Sequence, residues 1–120
     1  MRVAIIGGAG KMGRWFARFL LKDGKEVVIS GRDQAKLAEA GRQLGVQTAS
    51  NVEAVKSADV VILSVSIESF EAVVKEIAPS INSKHIVLDV TSIKTSPVGI
   101  MHKYIKAGQV LGTHPLFGPG

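Results

Sequence analysis

Apolar positions along this chain follow two patterns that alternate from end to end. Short runs, several of them unbroken or β-branched, recur at Arg2–Ile6, Glu26–Ser30, 46–48, 59–65, 85–89 and Gln109–Gly112. Each has strand length, and the run at 59–65 has the continuous apolar character of a strand buried on both faces. Between them lie longer stretches whose apolar residues return every three or four positions, the period of a helix with one buried face. Lys11–Lys22 carries Met12, Phe16, Phe19 and Leu20 on one such face, with Trp15 also at core-facing spacing. Gln34–Leu44 forms a second helix. Gly24 and Gly45 follow the two helices, where glycine commonly ends them. A short third helix is expected after residue 50, with Asn51 as its N-cap and, with Ala54 three residues on, no full capping box. A fourth turns Ile67, Phe70, Val74 and Ile77 inward and is closed by Pro79. The last begins near Pro97, a residue suited to the first helical position, and ends at Gly108.

Strands alternating with helices at this spacing predict an α/β fold: a parallel sheet covered on both faces and reached by right-handed crossovers. The first strand runs directly into Gly7, Gly8, Gly10 and Gly13 and then into a helix. That strand–turn–helix order is the context a G-x-G-x-x-G dinucleotide motif requires. Gly8 is expected at the tight turn, Gly10 where the backbone approaches a pyrophosphate, and Gly13 where the helix packs closely. The expected architecture is therefore a Rossmann-type doubly wound sheet in three α/β/α layers with strand order 3-2-1-4-5-6. The nucleotide contacts expected from it are Gly8, Ala9, Gly10, Lys11, Met12 and Gly13 on the first turn. Ser30, Gly31 and Arg32 follow the second strand, Ser64, Val65 and Ser66 the fourth, and Thr91 the fifth.

Length and composition narrow the class. The chain has 120 residues, one domain's worth, and no cysteine, so it has neither disulfides nor a thiolate metal site. No apolar run has the length of a signal core or a membrane span, and a soluble, cytoplasmic protein is expected. The net charge of +5 comes from scattered basic residues. Arg14, Arg18 and Lys22 share one helix, Lys36 and Arg42 another, Lys103 and Lys106 a third, which reads as solvated faces rather than a nucleic-acid surface. A mildly basic surface also suits an anionic cofactor and substrate.

The residues after the second strand bear on the choice of nucleotide. NAD binders commonly place a carboxylate there for the ribose 2′-OH, whereas arginine accommodates a 2′-phosphate. Here Ser30 takes the carboxylate's place and Arg32 follows, so NADP is favoured, with NAD possible if Asp33 curls back. Ligands in such sheets sit outside the carboxyl ends of the strands. Ser64 and Ser66, the cluster from Thr91 to Lys94, and Thr113-His114 all fall there. Of the three histidines, His85 opens a strand at the opposite end and His102 lies beside Lys103 in a helix. His114 alone reaches the catalytic edge, where a neutral imidazole can take a proton from a substrate hydroxyl as hydride leaves the same carbon. Ser92 can orient that imidazole or bind substrate, and Lys94 can attract a carboxylate.

At these residues the chain resembles a known family. GGAGKMGRWFARFL, LDVTSIK and GTHPLFGPG are similar to segments of the prephenate and arogenate dehydrogenases of tyrosine biosynthesis. The D-x-x-S-x-K and H-P-[LM]-F-G-P pair is the most specific part. The resemblance covers the nucleotide-binding half of such an enzyme and implies oxidative decarboxylation of prephenate or arogenate. It implies that His114 accepts the ring hydroxyl's proton, that Ser92 assists it, and that Lys94 is a further candidate. It also implies a helical C-terminal domain, beyond residue 120, that supplies a substrate-binding arginine and the homodimer contact. The loop Leu116-Phe117-Gly118-Pro119 lacks an acidic residue found there in some relatives, so the substrate side chain stays open. The alternatives are another NADP-dependent reductase or hydroxyacid dehydrogenase, such as a deazaflavin-dependent NADP reductase, and a non-catalytic NADP-binding module.

Overall fold

The computed structural model describes residues 1–90 and the strand at 109–112. Strands β1 (Arg2–Ile6), β2 (Glu26–Ser30), β3 (Gln47–Thr48), β4 (Val60–Leu63), β5 (Ile86–Asp89) and β6 (Gln109–Gly112) form one sheet. All its pairings are parallel, in the order β3-β2-β1-β4-β5-β6 that the sequence predicts. Helices α1 (Lys11–Lys22), α2 (Gln34–Leu44), α3 (Asn51–Ser57) and α4 (Ile67–Ile77) make the crossovers. β3 and β5 begin one residue later than the runs expected at 46–48 and 85–89, and β4 is trimmed at both ends of 59–65. Pro79 does not end α4 sharply; the chain continues through a 3₁₀ turn, Ala78–Ser80. The helix expected from Pro97 to Gly108 lies outside the described residues.

The alternation along β1 shows why the sheet is covered twice. Val3 and Ile5 join Val27, Ile29, Ala17, Leu37 and Ala40 on the α1–α2 side. Ala4 and Ile6 join Val61, Leu63, Val55, Phe70 and Val74 on the α3–α4 side. Every central strand is apolar on both faces, as a buried parallel sheet requires.

One expectation about α1 fails. Its fully buried residues are Gly13 and Ala17, whereas Phe19 is 49% exposed and stacks on Trp15, which is itself half-buried. At 3.6 residues per turn Phe19 projects about a third of a turn away from the Gly13–Ala17–Leu20 line. The sheet calls for small residues where the helix axis comes nearest, so the large side chains do not mark the centre of the buried face. Among the described residues, no helix is long and apolar enough to cross a membrane.

Candidate nucleotide-binding site

β1 ends at Ile6 and the chain turns at once. Gly7 has a φ of +89°, and a Cβ there would stand 2.1 Å from the Ser64 carbonyl oxygen. The residue whose conformation demands glycine is thus Gly7, not Gly8 as the motif spacing suggests. Gly8 is required by packing, since its Cβ would meet the Ile29 side chain at 2.5 Å. Gly13 is required likewise, a Cβ there lying 2.5 Å from the Gly7 carbonyl oxygen. Gly10 differs: its Cβ would meet only the Gly7 oxygen, at an ordinary 3.6 Å. Nothing in the protein excludes a side chain at Gly10, and it borders a cavity. Bare backbone facing open space is what close approach of a ligand needs.

The turn is held from two sides. The Gly7 and Gly8 N–H groups both donate to the Ser30 carbonyl at 2.9 Å, tying the end of β1 to the end of β2. Arg14 donates from Nε to the Ala9 carbonyl at 2.9 Å and from Nη1 to Gln43 at 2.6 Å. Arg14 is therefore a strut for the turn rather than a solvated helix residue, a role its spacing on the helix does not reveal. No side chain caps α1, and its first turn holds no acidic residue. Its N-terminal N–H groups and positive dipole end accordingly suit an anion.

A cavity of about 380 Å³ opens here, between the glycine turn, the β2–α2 turn and the β4–α4 connection. Of the expected contacts, Ala9, Gly10, Gly31, Arg32, Ser64, Val65 and Ser66 line it. Lys11 lines an adjoining cleft of about 510 Å³ with Ala9, Gly10 and Lys36. Gly8, Met12, Gly13 and Ser30 stand behind the wall: Met12 packs on the α1–α2 core, and Gly8, Gly13 and Ser30 are buried. Thr91, Ser92, Lys94 and His114 lie outside the described residues. A larger groove, about 650 Å³, runs between α1 and α2 along Trp15, Phe19 and Leu44, away from the carboxyl ends of the strands. Among the described residues no group of three His, Asp or Glu side chains could hold a metal ion.

The β2 end departs from expectation in three ways. Ser30 is fully buried and its hydroxyl donates to Asn51 Oδ1 at 2.7 Å, so it braces the wall from behind. Asn51 is not the α3 N-cap. Its amide is drawn instead to Ser30 and to Glu76, to which Nδ2 donates at 2.8 Å. Ser50 caps α3, its Oγ accepting from the Glu53 N–H at 3.2 Å, and the S-x-x-E pattern at 50–53 was the sequence signal for it. Asp33 caps α2, its Oδ1 accepting from the Ala35 and Lys36 N–H groups at 3.0 and 3.1 Å. Among the described residues lining the cavity it is the only carboxylate, while Arg32 and Lys36 are both cations. Sequence reasoning passed over Lys36; its place in the first turn of α2, one helical turn past Arg32, was the available signal.

His85 is accounted for structurally. It is buried at the opposite end of the sheet, its Nδ1 accepting from the Asn82 N–H and its Nε2 facing the Val55 carbonyl, both at 3.0 Å. The first bond fixes Nε2 as the protonated nitrogen of the neutral ring.

Residues 16–120 match the model of the prephenate dehydrogenase nucleotide-binding domain. The chain belongs to that family. It is 42% identical to the probable arogenate/prephenate dehydrogenase of Methanocaldococcus jannaschii, over 99% of this chain and 27% of that protein. The chain thus spans about a quarter of that relative's length. Its fold superposes on Synechocystis arogenate dehydrogenase with a TM-score of 0.84 at 22% identity, covering 96% of this chain and 41% of that one. The prephenate dehydrogenase of A. aeolicus, solved with hydroxyphenyl propionate and NAD+, gives 0.84 at 21% identity, covering 97% and 42%. The open Cβ direction at Gly10, the uncapped α1 and the two cations all fit a dinucleotide at the cavity of this nucleotide-binding domain.

Proposed function

We propose that this domain binds NADP in preference to NAD, as the cofactor half of a cytoplasmic enzyme that oxidatively decarboxylates prephenate or arogenate. The observation that carries the reading is the cavity between Gly10 and Arg32. Bare backbone would meet the pyrophosphate there, and two cations stand where a ribose 2′-phosphate would reach. Asp33, the one carboxylate among the described residues lining that cavity, serves as a helix cap. Gly10, Lys11 and the open α1 N-terminus would hold the pyrophosphate, and Arg32 with Lys36 the 2′-phosphate. When bound, the cofactor supplies the nicotinamide that accepts hydride from the hydroxyl-bearing ring carbon.

The remaining steps belong to residues of the 91–120 segment, assigned from their match to the D-x-x-S-x-K and H-P-x-F-G-P motifs. His114 takes the hydroxyl proton as the C–O bond becomes a carbonyl, Ser92 holds the imidazole or the hydroxyl, and Lys94 attracts a substrate carboxylate. Loss of carbon dioxide then leaves an aromatic phenol: 4-hydroxyphenylpyruvate from prephenate, tyrosine from arogenate. The substrate-binding arginine and the homodimer contact come from a helical C-terminal domain. The isolated 120 residues therefore bind NADP without turnover. The test is NADP-dependent turnover of prephenate and arogenate by a polypeptide carrying both domains. His114→Asn should lower kcat by about 10²- to 10⁴-fold with the KM for NADP unchanged. Retained activity rejects the role of His114, and turnover of a simple hydroxyacid alone rejects the substrate class.

A further inference from the structure

We infer that Ser69 is the positioning residue for the 2′-phosphate site: it holds Arg32 across the cavity, ready to receive the phosphate of a 2′-phosphorylated adenosine. This rests on the reading that Arg32 meets such a phosphate.

The geometry is that of a bar across a groove. Arg32 lies on the turn after β2 and Ser69 in the first turn of α4, on opposite sides of the opening. Arg32 Nη1 donates to Ser69 Oγ across it. Arg32, Asn51, Ser69 and Val73 line both the nucleotide cavity and a smaller neighbour of about 360 Å³. The Arg32–Ser69 pair therefore stands where the two cavities meet. Ser69 is fixed at its own end. It is 9% exposed, its hydroxyl also accepts from Ser66 Oγ at 3.2 Å, and its N–H donates to the Ser66 carbonyl at 3.1 Å.

A long, exposed arginine on a turn samples many rotamers, and freezing it on a ligand costs side-chain entropy. A tether made before binding removes part of that cost. It uses one of the guanidinium's five N–H donors and leaves the rest of the fork for a phosphate. Neither carboxylate of the neighbouring cavity, Glu68 or Glu76, is bonded to Arg32 here; Glu76 accepts from Asn51 instead. The positive charge thus stays directed by a neutral hydroxyl rather than cancelled by an acid. The prediction is selective: loss of Ser69 weakens recognition of the 2′-phosphate and of nothing else.

The experiment is calorimetry of 2′,5′-ADP and 5′-ADP binding to the 120-residue chain, with Arg32→Ala, Ser69→Ala and Ser69→Thr beside the parent. The expected result is that the parent prefers 2′,5′-ADP and that Arg32→Ala narrows the preference, Lys36 remaining. Ser69→Ala should lower 2′,5′-ADP affinity by about fivefold, the range of one hydrogen bond, with 5′-ADP unchanged. Ser69→Thr, which keeps the hydroxyl, should restore it. A parent chain with no preference overturns the NADP reading and the tether with it. A parent that discriminates, with Ser69→Ala either as selective as the parent or weakened equally for both ligands, overturns the tether alone. Thermal melts of each variant identify a folding defect, which would appear as equal weakening and count against the tether.

Discussion

At the scale of single residues, the four glycines of the first turn are glycine for different reasons, and that difference can be measured. Gly13 faces backbone: a Cβ there falls 2.5 Å from the Gly7 carbonyl oxygen and 2.7 Å from Gly8 Cα, neither of which can swing aside. Gly13→Ala should therefore cost about 1–3 kcal/mol, seen as a lower midpoint in chemical denaturation. Gly10 faces space and is the N-cap of α1, with a φ of −78° and ψ of 172° that serine adopts readily. Gly10→Ser should leave stability equal or slightly higher, since serine caps helices well. The same hydroxyl would occupy the N–H groups a pyrophosphate needs, so NADP affinity should fall tenfold or more, about 1.4 kcal/mol. A Gly10→Ser chain that binds NADP as tightly as the parent would place the pyrophosphate elsewhere.

At the scale of elements, what the sequence revealed depended on whether the signal was periodic or a matter of which donor won a contest. The six strands and the helices from α1 to α4 were legible because burial on both faces of a sheet, or one face of a helix, imposes a repeat. The strand order followed from alternation together with the glycine turn. The caps were less legible. Asn51 and Ser50 are both good N-cap residues, and only the tertiary contacts with Ser30 and Glu76 decide that Ser50 takes the cap. On α1, Met12, Phe16 and Leu20 pack on the core as their spacing predicts, whereas Phe19 does not, because Gly13 and Ala17 carry little hydrophobic weight although they set how near the helix lies. At the site, the glycine turn and Arg32 were visible, whereas Arg14 and Ser69 act through contacts to other segments that no spacing records. Asp33 shows the consequence for cofactor choice. Its side chain stabilises α2, so Asp33→Ala should cost about 1 kcal/mol and Asp33→Ser nearly nothing. Asp33→Ser should also leave NAD affinity unchanged, whereas a selective tenfold loss of NAD would show the carboxylate serving a ribose hydroxyl.

At the scale of the whole molecule, the cavity sits where the sheet changes direction of winding. β1 stands between β2 and β4, so the turns following the three strands meet at one edge although residues 7, 32 and 66 are far apart in sequence. Their crossovers leave β1 toward α1 and α2 on one face and β4 toward α4 on the other, opening a crevice rather than closing one. A dinucleotide lying in it would bridge three segments already joined by the Gly7 and Gly8 N–H groups to the Ser30 carbonyl and by Arg32 to Ser69. Binding to the folded chain alone must then stabilise it. At a hundredfold excess over Kd the gain is about 2.7 kcal/mol, which for a domain of this size raises Tm by roughly 10 °C. NADP should give that shift at a lower concentration than NAD. Since Arg32 and Lys36 are exposed, the gap between the two nucleotides should narrow as salt rises, because screening weakens an exposed cation–phosphate contact far more than it weakens the backbone N–H contacts both nucleotides share. Melts with each nucleotide across a salt series separate the two contributions. A gap that persists unchanged at high salt would mean that shape, rather than the charge of Arg32 and Lys36, makes the choice.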